Sequence, residues 1–129
     1  MKDSILFTKS KAFALRIVRL YKYLRERKES VIAKQMLRSG TSVGANIAES
    51  RYAQSKADFA SKLQIALKEA AETEYWLELL RDSELVESSS AFDSICTDCT
   101  ELIKLLTASV KTIKDSGYGQ LGCYANDHP

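Results

Sequence analysis

Histidine is nearly missing from this sequence: of 129 residues only His128 is one, beside the single proline, Pro129. A helical di-iron site built from Glu and Glu-x-x-His motifs therefore has no ligand set. A Ser–His or Cys–His nucleophile pair has no imidazole within the body of the chain. Three cysteines, Cys96, Cys99 and Cys123, are too few and odd in number for a disulfide scaffold. Cys96-Thr97-Asp98-Cys99 has the C-x-x-C form, but a zinc site needs two further ligands at suitable spacing. Cys99 falls on an apolar helical line, which favours a core thiol over a redox role. No glycine-rich phosphate loop is present. No catalytic residue, cofactor or metal is expected, and the chain is not expected to be an enzyme.

Proline is confined to the last position and there are five glycines, so long helices run uninterrupted. No apolar run approaches the ~20 residues that span a bilayer, so no membrane association is expected. The start, Met1-Lys2-Asp3-Ser4-Ile5, lacks the apolar core of a signal peptide, and a cytoplasmic location is expected.

What is present is helical. A hydrophobic content of 45% with 28% charge suits one globular domain. The first helix is expected from about Ser10 to Arg27 after a lead-in, with Phe13, Ile17, Leu20 and Leu24 as its seam. The second is expected from Val31 to Tyr52, with Ser30 as N-cap. Ser55-x-x-Asp58 opens a third over residues 56–82. There Phe59, Leu63, Ala66, Ala70, Thr73, Leu77 and Leu80 follow an alternating 4, 3 repeat. Leu85-Val86 is expected to plug the bundle end. Ser90-x-x-Asp93 opens a fourth helix to about residue 115, with Phe92, Ile95, Cys99, Leu102, Leu106, Val110 and Ile113 as its seam and Ser116-Gly117 as its stop. The fold class is all-α, an antiparallel up-down four-helix bundle over residues 1–116. Residues 117–129 form a flexible tail, from which Tyr118, Leu121 and Tyr124 are able to dock on a neighbour.

The net charge of +2 conceals a polarity. Residues 1–51 hold 12 Lys/Arg against 4 Asp/Glu, a net of +8, and the remainder hold 7 against 13, a net of −6. Lys11, Arg19, Lys22 and Arg25 share the outer face of the first helix, where they suit either a phosphate backbone or plain solvation. Glu69, Glu72, Glu74 and Glu78 read as a solvated face or as salt-bridge partners. The end of the third helix is apolar over too wide an arc for one core. Tyr75, Trp76 and Leu79 are therefore expected at an oligomer interface.

The least ordinary stretch is Arg38-Ser39-Gly40-Thr41-Ser42-Val43-Gly44-Ala45-Asn46-Ile47-Ala48-Glu49-Ser50. Its Gly, Ser, Thr and Ala make a poor isolated helix. Gly40, Gly44 and Ala48 form a smooth strip for a close neighbour, which the alanines of the third helix match. Arg38, Ser42, Asn46 and Glu49 form an adjoining polar strip, a structural ladder or a ligand site.

Gln35-x-x-Arg38-Ser39-x-x-Ser42-Val43-Gly44-Ala45-Asn46-Ile47-Ala48-Glu49 resembles the signature of small bacterial four-helix-bundle proteins encoded within 23S rRNA intervening sequences. Phe59, Leu63, Ile65-Ala66 and Lys68-Glu69-Ala70-Ala71-Glu72-Thr73-Glu74-Tyr75-Trp76-Leu77 resemble that family's third helix. The resemblance covers roughly residues 7 to 115; Ser50 stands where a glycine often follows the Ala-Glu pair. It implies an antiparallel bundle assembled as a homopentamer, a homo-oligomeric ring. A related group, the accessory proteins of diversity-generating retroelements, forms basic pentamers that engage RNA and a reverse transcriptase. The expected function is a non-enzymatic oligomeric scaffold that binds RNA or another anionic partner. The alternative is a protein–protein interaction adaptor without nucleic-acid binding.

Overall fold

The computed structural model describes residues 2–118. Four helices follow in order: α1 Lys2–Glu26, α2 Val31–Ser50, α3 Lys56–Asp82 and α4 Ser90–Ile113. Each packs on the next and α4 returns to α1, so α1 and α3 stand at opposite corners of an all-α up-down four-helix bundle. The expected tail docking by Leu121 and Tyr124, together with Cys123 and His128, lies outside the described residues, and so does the side chain of Tyr118.

α1 begins at Lys2, not near Ser10. Its seam extends backward through Leu6 and Ser10, which are 3% and 0% exposed. Ser10 is therefore a core residue, not a helix start. Its hydroxyl donates to the Phe7 carbonyl at 3.1 Å, which meets the cost of burying it. Phe7 lies beneath the Arg51 guanidinium, 3.9 Å from the ring centroid, so the end of α2 covers the start of α1.

The small-residue strip of α2 faces α1, and not the alanines of α3. A Cβ placed on Gly40 would lie 2.9 Å from Ile17 Cγ2, and one on Gly44 would lie 3.4 Å from the Ser10 carbonyl oxygen. Gly44 thus brings α2 onto the α1 backbone itself, and Gly40 makes room for the Ile17 side chain. Toward α3, α2 turns a different edge. The buried Ser39 and Thr73 hydroxyls lie 2.8 Å apart; Ser39 donates to the Met36 carbonyl, and Thr73 shares its one proton between the Ser39 hydroxyl and the Glu69 carbonyl. Among the described residues no buried side-chain polar atom lacks a partner.

The caps depart from expectation by small steps. Ser30 is the N-cap residue of α2 as expected, but its hydroxyl makes no capping bond; the Glu29 carboxylate instead accepts from the N–H groups of Ile32 and Ala33 at 2.8 and 3.1 Å. A carboxylate there also meets the positive helix end. Ser55 caps α3 by accepting from the Asp58 N–H at 3.0 Å. Ser89 caps α4 one residue earlier than expected, accepting from Phe92 N–H. α2 stops at Ser50, short of Tyr52. Past Ile113 the chain widens into a π turn, Lys114–Tyr118, so Ser116-Gly117 lies within helical backbone instead of ending it.

The third and fourth seams are buried except at their ends, where Phe59 and Ile113 are half-covered and Ala60 takes the core position. Val86 plugs the bundle end at 8% exposure while Leu85 turns outward at 40%. Among the described residues no helix is long and apolar enough to cross a membrane.

Gly44→Ala adds a methyl at ordinary contact distance and improves helix propensity, so it melts at or above the parent. Gly44→Leu forces α1 away and costs about 1–3 kcal/mol. Chemical denaturation of both variants checks the pair, and equal stability of Gly44→Leu and the parent refutes the close approach.

Candidate functional site

The first helix carries two kinds of cation. Those on its α4 flank are spent within the fold. Lys9 Nζ reaches Glu101 at 3.3 Å, and Arg16 donates to Asp98 at 2.6 Å, to Ser94 at 2.9 Å and to the Ala91 carbonyl. Those on its outer face, Lys11, Arg19, Lys22 and Arg25, are exposed and make no ion pair among the described residues. Arg25 lies 5.8 Å over the Tyr21 ring, a contact that leaves its N–H groups available.

Two residues that sequence reasoning overlooked share this face. Leu15 and Val18 are 50% and 39% exposed and sit between the cations. Helical phase places them with Lys11, Lys22 and Arg25, a signal present in the sequence but hidden by attention to the core seam.

Beside Arg19 a groove of about 410 Å³ opens between α1 and the start of α4. Leu20, Tyr23, Val86, Phe92 and Ile95 line it, with Arg16, Arg19 and Glu87 among its polar neighbours. A larger cleft of about 770 Å³ between α3 and α4 carries Glu74, Glu78, Asp93, Cys96, Glu101, Arg81 and Lys104. Among the described residues no group of three or more His, Cys, Asp or Glu is placed to hold a metal ion. Burial pushes the Cys99 thiol up to about 12, with Glu74 adding to the shift, and its Sγ lies 3.4 Å from the Ala70 carbonyl. Burial also raises the half-covered Cys96. Neither is a thiolate at neutral pH.

The polar strip of α2 is spent on its own helix and on α3. Asn46 donates to the Ser42 carbonyl at 2.9 Å and the Ser42 hydroxyl to the Arg38 carbonyl at 2.7 Å. Glu49 pairs with Lys62 at 2.9 Å, and this bond raises the Lys62 pKa. Arg38 forks between Glu69, at 3.2 Å, and Glu72. Arg38, Asn46 and Glu49 do not converge on one point.

Glu72 also accepts from the Trp76 indole N–H at 2.8 Å, so Arg38 and Trp76 meet through one carboxylate. The Arg38 guanidinium, and then the indole, hold Glu72 below the usual carboxylate range despite its partial burial. The Trp76 ring stands edge-on to Tyr75, with centroids 5.1 Å apart. Tyr75 is 56% exposed and Leu79 is half-buried, which leaves an aromatic patch on α3.

The model of the 23S rRNA-intervening sequence protein family matches residues 2–108. A crystal structure of a protein of unknown function from the S23 ribosomal protein family of Bacteroides thetaiotaomicron VPI-5482 is similar at 57% identity. It covers 86% of this chain and 99% of its own, with a TM-score of 0.81. No curated protein matches significantly.

A carboxylate held low stabilises the fold above its unfolded pKa of ~4.3, and that contribution is lost as pH falls through the lower folded value. Glu72→Gln therefore costs about 0.5–1 kcal/mol at pH 7, the range for a partly exposed pair. Urea denaturation at pH 7 and pH 3 shows the difference shrinking toward zero in acid. A penalty unchanged at pH 3 rules out the ionic origin.

Proposed function

The chain belongs to the 23S rRNA-intervening sequence protein family, and on that premise we propose that it is a non-enzymatic oligomeric scaffold holding RNA through the outer face of α1. The carrying observation is the division of the α1 cations. Lys9 and Arg16 are matched by carboxylates of α4, whereas Lys11, Arg19, Lys22 and Arg25 face outward with no ion pair among the described residues. Cations left unpaired on one face suit a run of phosphates, whose counterions they displace. No base-reading motif accompanies them, so these four side chains contact backbone charge.

The assembly is a ring of identical subunits, five by family resemblance. Its support is the half-covered apolar surface of Tyr75, Trp76 and Leu79 on α3, at the corner opposite α1. Different surfaces at opposite corners suit head-to-tail contact, which closes into a ring when the rotation permits.

The exposed Leu15 and Val18 favour a second reading, in which the same face meets an acidic protein surface. A phosphate backbone has no use for two branched apolar side chains, whereas a protein interface does.

Replacing Lys11, Arg19, Lys22 and Arg25 together by Ala weakens binding of a single-stranded RNA and flattens its log–log salt slope by about 3, at ~0.7 per lost contact. Anisotropy titrations across a salt series test this. Unaltered slope, or no binding by the parent at low salt, rejects the RNA reading and favours the protein one. Sedimentation equilibrium of the parent gives a mass near five protomers, and Tyr75→Glu with Leu79→Glu lowers it. A monomeric parent rejects the ring.

A further inference from the structure

Of the core residues, Leu20, Val86 and Ile95 are among the least covered, each 8% exposed, and all three line the groove between α1 and the start of α4. Phe92 and Tyr23 complete its apolar surface. The groove is thus an opening in the core wall, of a size that falls within the range of small-ligand sites.

Its charged surroundings are unequal. Arg16 is locked to Asp98, Ser94 and the Ala91 carbonyl. Glu87 lies 4.0 Å from Arg27, which itself covers the Tyr23 ring at 4.5 Å. Arg19 alone among the lining cations has no ion pair among the described residues, and it belongs to the outward-facing set on α1. An aromatic, apolar slot with one available guanidinium at its edge is complementary to a flat ring attached to a phosphate.

We propose that this groove receives an unpaired base of a single-stranded RNA, seated on its apolar lining of Leu20, Val86, Phe92 and Ile95 beside Tyr23, while Arg19 holds the adjoining phosphate. The proposal rests on the RNA reading above and deepens it by naming the form of RNA. A duplex keeps its bases stacked inside and presents only phosphate and sugar, whereas a single strand can turn a base outward onto an aromatic side chain. The outer cations Lys11, Lys22 and Arg25 would serve either form, and the groove only the second.

The test uses the whole protein, a fluorescent 12-nucleotide RNA and the duplex made from it. Two variants address the groove. Ala91→Trp fills it from an exposed position whose backbone bond to Arg16 is retained. Tyr23→Ala removes a wall of the groove, and thermal melts establish that each is folded. The expected result is parent binding at least tenfold tighter to the single strand than to the duplex. Both variants lose about tenfold on the single strand and nothing on the duplex. Equal parent affinity for the two forms, or variants that keep the preference, overturns the base slot and leaves the phosphate-binding face standing. No binding of either form at low salt overturns both. A drop in native mass for Ala91→Trp in the absence of RNA overturns the proposal in favour of a second protein copy as the occupant.

Discussion

The bundle depends on how closely α2 can come to α1. At Gly44 the neighbour is the Ser10 carbonyl, a backbone atom that cannot rotate away, and at Gly40 it is the fully buried Ile17. At Gly44 that separation leaves no room for a large side chain, while at Gly40 the Ile17 side chain of α1 fills the space glycine leaves. Met36, Val43 and Ile47 of α2 and Phe13 and Leu24 of α1 are buried together in the common core. The composition that makes α2 a poor helix in isolation is the composition that tertiary packing requires. Local propensity yields here to a contact that only the folded chain offers.

That contact also sorts the charges. With one flank of α1 pressed on α2 and another tied to α4 by Lys9 and Arg16, the remaining cations have only the outside to occupy. α3, at the far corner, carries its own network, in which Arg38 of α2 links Glu69 and Glu72 and Glu72 orients the indole of Trp76. The polarity of the linear sequence is thereby turned into polarity across the molecule. A basic outer face and an aromatic face bordered by carboxylates end at opposite corners, the arrangement that repeating head-to-tail assembly calls for.

The helices were legible because their seams repeat. α3 has the bounds its period and its Ser55 cap announce, and the family resemblance agrees with the bundle found. Legibility failed where a residue type misleads. Ser10 stands at the expected start of α1 and is a core residue; Ser30 holds the N-cap position of α2 as expected, but the longer side chain of Glu29 is the one that reaches two amides. Gly40 and Gly44 announce a close neighbour without saying which, and the alanines of α3 pointed to the wrong one. Of the candidate surface, the four cations could be placed outward from helical phase alone. The groove could not be, since its walls come from α1, the α3–α4 connection and α4, and no single stretch of sequence contains it.

The ion pairs along the α1–α4 flank have a consequence for how the molecule is put together. Lys9 with Glu101 and Arg16 with Asp98 join segments more than eighty positions apart. The entropy of drawing such distant segments together grows with the intervening length, while hairpins such as α2–α3 are assembled from neighbours. The edge shared by the opening and closing helices is thus the costliest to zip. It is also the edge where the aromatic slot interrupts the wall, so the gap falls along the line at which the cylinder is shut.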